Sequence, residues 1–196
     1  KISNRDFYGI KGRKIISIKR RSKYLLINLN QGLTILAHLG MTGKFFIIGK
    51  NNKKQKTSFY YSIEKDESKH DHLTLYLNQG IKLIYNDVRK FGFLKVFKSK
   101  NLYKSNHLKF LGPEPLNKDF NLNYVTRYCL GKKKTIKNLL MDQKFVSGLG
   151  NIYCNEILFW CKIKPDRIIK KINNKEFCNL IKYTKKILKI AISKGG

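Results

Sequence analysis

Ser147-Gly148-Leu149-Gly150-Asn151-Ile152-Tyr153 stands just before a helical run and has the parts of an anion site. Two glycines let the backbone turn sharply and leave N–H groups for a ligand. The helix N-terminus adds partial positive charge, so the turn can cradle one phosphate, with the Asn151 amide as a further donor. The same residues equally suit a plain helical connection capped by glycine. Upstream, Lys132-Lys133-Lys134-Thr135-Ile136-Lys137 places four cations within six residues. Alone such a run reads as a solvated face; beside a phosphate-shaped turn it is how a helical module grips a DNA backbone.

A second group of candidates lies earlier in the chain. His38-Leu39-Gly40-Met41-Thr42-Gly43 and Asn86-Asp87-Val88-Arg89-Lys90-Phe91-Gly92 are two glycine-containing connections, one presenting Met41, the other Arg89 and Phe91. An apolar side chain and an arginine on adjacent loops are the parts needed to wedge a base step and fill the place of an extruded nucleotide. Core packing of Met41 and Phe91 is the competing reading. His70-Asp71-His72 puts both imidazoles on one face of an extended segment, as a metal pair would. With no further ligand nearby, a phosphate contact by His70 and a buried His72 fit better. Lys23 opens an apolar strand, either as an edge cation or as a group that shuttles protons or holds a phosphate.

The composition narrows the partner. Across 196 residues, 42 Lys+Arg against 12 Asp+Glu give a formal net charge of +30. Hydrophobic residues at 42% and aromatics at 12% give enough apolar surface for a folded core. The abundance of Lys, Asn and Ile has the stamp of an A·T-rich genome, which supplies part of the charge. The scarcity of acids remains, and it points to nucleic acid rather than a membrane surface or another polyanion. Cys129, Cys154, Cys161 and Cys178 contain no CxxC pair, so a zinc site of the usual local spacing is missing and buried free thiols are expected. No apolar run approaches the roughly 18 residues of a membrane span.

These side chains must be held by two kinds of element. From Lys14 to Phe97 the apolar pattern comes in short runs, split by Leu29-Asn30-Gln31-Gly32 and Leu77-Asn78-Gln79-Gly80, each an Asn-x-Gly hairpin turn. Strands are predicted at 14–18, 23–29, 34–38, 44–48, 72–77, 82–85 and 92–97, in an antiparallel sandwich. Residues 49–56 are polar and patternless and read as a loop. Leu111-Gly112-Pro113-Glu114-Pro115-Leu116 continues neither strand nor helix and marks a domain boundary, giving domains 1–112 and 113–196. Beyond it, helices are predicted at 121–130, 134–141, 151–161 and 176–192, an α+β plan with a β-sandwich followed by an all-helical domain.

In order along nearly the whole chain, seven segments resemble the formamidopyrimidine-DNA glycosylase family of oxidised-base repair enzymes. They are residues 20–24, 38–43, 69–72, 87–92 and 111–116, then Ile136-Lys137 with Leu140-Met141-Asp142-Gln143, then 148–153. The resemblance implies a β-sandwich and a helix-two-turns-helix domain. The implied enzyme flips an oxidised purine (8-oxoguanine or a formamidopyrimidine) from double-stranded DNA, removes it and cleaves the abasic strand by β,δ-elimination. It assigns Lys23 to the elimination step and His70, Arg89, Lys132 and Lys137 to DNA binding. Asn151 and Tyr153 fall in the phosphate-binding turn, and Met41, Arg89 and Phe91 fill the void. A monomer in the bacterial cytoplasm, at the nucleoid and off the membrane, is expected. An endonuclease VIII type acting on oxidised pyrimidines, or a non-catalytic binder of damaged DNA, are the alternatives.

The departures matter as well. Val88 and Lys90 stand where the family usually has Pro and Arg. The family pattern also has a leading Pro-Glu, whose proline amine attacks the sugar, and a trailing four-cysteine zinc finger. These 196 residues contain neither and read as the interior of such an enzyme, with no cofactor of their own and one structural zinc in the full-length protein. On that expectation they do not excise a base unaided.

Overall fold

The structure is a computed structural model describing residues 7–51, 54–56 and 68–195. It divides into two compact units, Lys1–Leu102 and Tyr103–Gly196. The division falls between Leu102 and Tyr103, ahead of the proline-containing segment that marks the boundary in the sequence. That segment is anchored within the second unit: Gly112 N–H donates to the Gln143 carbonyl and Ser147 N–H to that of Pro113.

The first unit contains β1 (Ile15–Arg21), β2 (Tyr24–Leu29), β3 (Leu33–His38), β4 (Lys44–Ile48), β5 (Lys54–Lys56), β6 (Asp71–Tyr76), β7 (Lys82–Asn86) and β8 (Phe93–Lys98). They form two antiparallel four-stranded sheets, ordered β1-β2-β3-β8 and β5-β4-β7-β6. Period-two alternation turns Ile27, Leu29, Ile35, Ala37 and Leu94 of the first sheet toward Phe45 and Tyr85 of the second, making one core. The opposite face of the first sheet carries a row of cross-strand hydrogen bonds. Asn28 Nδ2 donates to Ser17 Oγ, Thr34 Oγ1 donates to Asn28 Oδ1, and Thr34 also pairs with Ser99. Thr34 is fully buried, and this row satisfies its hydroxyl.

Most strand bounds move by one to three residues, and two predictions change in kind. Lys23 does not open β2 but occupies, with Ser22, the two-residue β1–β2 turn, where Ser22 has φ of 56°. Residues 54–56, predicted as loop, form β5 paired to β4, because an outer strand can join the ladder through its backbone without apolar alternation. In both Asn-x-Gly turns the left-handed region holds the glutamine as well as the glycine. Gln31 and Gly32 have φ of 56° and 69°, Gln79 and Gly80 of 62° and 74°.

The second unit is helical, preceded by α1 (Ser99–Leu102) of the first unit, and comprises α2 (Leu122–Cys129), α3 (Ile136–Met141), α4 (Asn151–Cys161) and α5 (Asn174–Ser193). Asn121, Thr135 and Asn173 cap α2, α3 and α5 with side-chain oxygens accepting from the first turn. At α5 the cap is reciprocal, since the Glu176 carboxylate accepts from Asn173 N–H while Asn173 Oδ1 accepts from Glu176 N–H. Helix α3 begins two residues later than predicted because Lys134 and Thr135 are held in extended backbone, Thr135 bridging to Ile168 and the Lys134 carbonyl accepting from Ile169 N–H. Phe120, Val125, Ile136, Leu139, Leu140, Phe145, Leu149, Ile157 and Leu180 belong to its core. No helix among the described residues is long and apolar enough to cross a membrane.

Candidate nucleic-acid interface

Strand register decides where the β-unit candidates lie. Tyr24, His38 and Phe93 are opposite one another across β2, β3 and β8, and Lys44, Asn86 and Asp71 across β4, β7 and β6. The Ser22-Lys23 turn, the 39–43 loop, His70 and the 87–92 loop therefore all leave the sandwich at the same end. Residues more than 60 positions apart in sequence are gathered there by pairing alone. The rings of Tyr24, His38 and Phe93 form the floor, His38 lying 5.1 Å from Tyr24 and 5.8 Å from Phe93 between centroids.

Met41 is 71% exposed and Phe91 58% exposed, so neither is a core plug. The Arg89 guanidinium carbon sits 4.8 Å from the Phe91 ring centroid, a cation–π stack at an exposed site. Beneath them the two loops touch backbone to backbone. Gly40 has φ of 63°, and a Cβ there would lie 2.7 Å from Gly92 N and 2.8 Å from the Phe91 carbonyl carbon. Glycine is needed on both counts. A Cβ on Gly92 would collide with the Tyr85 hydroxyl.

The buried Asp87 carboxylate ties this end together. Its Oδ1 accepts from Thr42 Oγ1 at 2.6 Å, and its Oδ2 from Gly92 N–H at 2.8 Å and from the Tyr85 hydroxyl at 3.1 Å. Thr42 Oγ1 in turn accepts from Arg89 N–H at 3.1 Å. The backbone of Asp87 reaches the histidine segment, with its N–H donating to the His70 carbonyl and its carbonyl 2.8 Å from His72 Nε2. Burial alone would raise the Asp87 carboxyl, but the bonds from Thr42, Gly92 and Tyr85 prevail and hold it below the usual carboxylate range. Burial, with Asp87 alongside, pushes the Tyr85 phenol well above its ordinary value. His72 is thus half-buried and bonded to backbone rather than aimed at a metal.

In the helical unit the glycine turn is braced by Gln143. Its Nε2 donates to the Leu149 carbonyl at 2.9 Å and its Oε1 accepts from Gly148 N–H at 2.8 Å. The Gly148 N–H is therefore not available to an anion, contrary to the sequence reading. What stays available is the first turn of α4, where Gly150 caps without a side-chain bond and Asn151 is exposed. Tyr153, two residues on, is half-buried against the helical core. Lys132 lies with its ammonium 4.5 Å from the Tyr128 ring centroid. Within the basic run, Lys134 is matched by Asp142 at 3.1 Å, and Lys137 is half-buried, its N–H donating to the Pro165 carbonyl.

Thr42, Asp87 and Gln143 have no role in the sequence reading, although each lies inside a segment it selects. Thr42, a short polar residue next to Gly43, carries a local signal; Asp87 and Gln143 carry none. Among the described residues no three His, Cys, Asp or Glu side chains converge as metal ligands. Cys129 and Cys154 are buried, Cys161 is half-buried and Cys178 is exposed, so the expectation of buried thiols fails at the last. Burial pushes the Cys129 and Cys161 thiols up to about 11, so neither is a thiolate ready for zinc. Among the described residues, these cysteines do not fit a structural zinc.

Residues 2–94 match the family described as the Formamidopyrimidine-DNA glycosylase N-terminal domain, and residues 111–196 its H2TH domain. A formamidopyrimidine-DNA glycosylase of Rhodopseudomonas palustris (strain TIE-1) is 36% identical over 98% of this chain and 68% of its own length. One from Legionella pneumophila (strain Lens) is 40% identical over 94% of this chain and 62% of its own. Among solved structures, the Lactococcus lactis Fpg with an abasic site containing DNA superposes with a TM-score of 0.83 at 31% identity, covering 96% of this chain and 66% of that one. The same protein with a FAPY-dG containing DNA gives 0.82 at 32%. The chain spans about two thirds of the length of these relatives. Two family models matched in order over nearly the whole chain, with relatives 36% and 40% identical, make this chain a member of the formamidopyrimidine-DNA glycosylase family.

Proposed function

We propose that the chain is the β-sandwich and helix-two-turns-helix part of a base-excision repair enzyme, one that removes oxidised purines from double-stranded DNA and cleaves the abasic strand. The observation that carries this reading is the common sandwich end, where Met41, Arg89 and Phe91 project beside His70 and the Lys23 turn. An exposed apolar pair with an arginine between is suited to displace a base and occupy its place in the stack. His70 contacts phosphate from the same end. Lys23, at a hairpin tip, holds a phosphate or moves a proton during elimination. In the helical unit Lys132, Lys137, Asn151 and Tyr153 grip backbone phosphates at the first turn of α4 and beside it. Crystal structures of the Lactococcus lactis relative with abasic and FAPY-dG containing DNA support both the partner and the purine lesion class.

Binding of a labelled duplex carrying an abasic-site analogue, measured by fluorescence anisotropy across salt, tests this. With about four to six phosphates neutralised, log K should fall against log salt with a slope of roughly −4 to −5. The damaged duplex should bind more tightly than its undamaged counterpart. A slope near zero, or equal affinity for the two duplexes, would overturn the reading.

A further inference from the structure

The two loops that carry the wedge are joined through a short chain of hydrogen bonds. The Arg89 N–H donates to Thr42 Oγ1, and the Thr42 hydroxyl spends its single proton on Asp87 Oδ1. The other carboxylate oxygen takes Gly92 N–H and the Tyr85 hydroxyl. Asp87 thus closes the far end of its own loop through Gly92 and reaches across 45 residues to the loop of Met41. The donors that satisfy this carboxylate are neutral: a hydroxyl, a phenol and a backbone N–H. Such a chain has a fixed direction. Each hydrogen runs toward the carboxylate, and no member can be reversed without placing two donors or two acceptors face to face.

We propose that Thr42 and Asp87 form a clasp that sets the spacing of Met41 from Arg89 and Phe91, so that the three side chains enter the duplex as one rigid unit. The clasp is a positioning device and rests on the wedge reading above. It makes base extrusion depend on residues that do not reach the DNA. An unclasped Met41 loop would still leave His70, Lys132 and the α4 turn to hold phosphates. Extrusion and affinity should therefore separate.

The test uses the 196-residue chain with a duplex that has 2-aminopurine next to an 8-oxoguanine, the base to be extruded. Thr42→Val keeps the shape but removes the hydroxyl, so that Arg89 N–H loses its Thr42 acceptor and Asp87 Oδ1 its Thr42 donor. Extrusion fluorescence should fall about tenfold while affinity falls by no more than about threefold, the scale of a lost buried hydrogen bond. Thr42→Ser, which restores the hydroxyl, should restore the signal. Asp87→Asn should act like Thr42→Val, because the amide cannot accept from both Thr42 and Gly92. Thermal unfolding of each variant separates lost folding from lost extrusion, and the Val/Ser pair stands if the Asn variant does not fold. Equal loss of signal and affinity in Thr42→Val, no loss of either, or failure of Ser to rescue would overturn the clasp. Absence of extrusion by the unsubstituted chain, despite salt-dependent binding, would instead overturn the wedge reading on which it rests.

Discussion

The stack of Arg89 on Phe91 is made in the open, where such contacts contribute about 0.5–1 kcal/mol. Losing it should barely affect the fold. Phe91→Ala is accordingly expected to leave thermal unfolding within about 1 kcal/mol of the parent, typical of an exposed position, yet to reduce extrusion fluorescence more than affinity. An equal loss of both would place Phe91 in general binding. Lys132→Ala should act differently, weakening damaged and undamaged duplex alike and flattening the salt slope by about one. Titrations of both duplexes at several salt concentrations would check this. The segments containing these residues were legible in the sequence, and the family resemblance, not spacing, pointed to exposed Met41 and Phe91. Residue type alone favours burial for both, whereas the structure leaves both side chains exposed above loops that touch at Gly40 and Gly92. Asp87 is invisible to such a reading because its partner Thr42 lies on a different connection, and no local pattern records a hydrogen bond between two loops 45 residues apart.

Helix α5 shows what a helix needs at its start. Its reciprocal cap at Asn173 and Glu176 is reinforced by Arg167, which bonds the Glu176 carboxylate and the Lys171 carbonyl. Replacing Asn173 with alanine should cost about 1 kcal/mol, visible as a drop of several degrees in the unfolding of the helical unit. No change in a calorimetric scan would show that the Asn173 side-chain cap adds nothing to the bonds Glu176 receives from Arg167 and the residue 173 N–H. The apolar stripe of α5 and the strand order within each hairpin were readable because burial imposes a period on them. Strand β5 was not, since Lys54-Gln55-Lys56 carries no apolar alternation and is placed by its backbone register with β4. The start of α3 was missed for a related reason: the bridge from Thr135 to Ile168 competes with helix for the same residues.

Among the described residues, Asp87, Asp142 and Glu176 act as fasteners, and all three are held below their usual range. For Asp87 and Asp142 burial opposes ionisation but hydrogen bonds outweigh it; for Glu176 the bond from Asn173 N–H leads. Lowered folded-state values mean that the stabilisation is complete above the unfolded values near 4 and is lost as pH falls through the folded ones. Urea midpoints should thus be flat from pH 7 to about 5 and decline below about 4; a midpoint that rose on acidification would contradict the assignment.

The placement of the second sheet has a kinetic consequence. Every one of its strands is inserted between β3 and β8, so the β3–β8 ladder closes only after the chain has gone out and returned. The β1–β2–β3 meander needs only short turns and can zip early, whereas non-local pairing waits on the entropy of loop closure. The loops bearing Met41 and Phe91 flank the final pair of that ladder, His38 opposite Phe93. The wedge would then be among the last parts to form and the first to be lost in partial opening. In pulse-labelled hydrogen exchange during refolding, the Gly92 and Phe93 amides should gain protection after those of Leu25 and Ile27. Briefly destabilised chains would then keep their phosphate grip while losing the ability to interrogate bases.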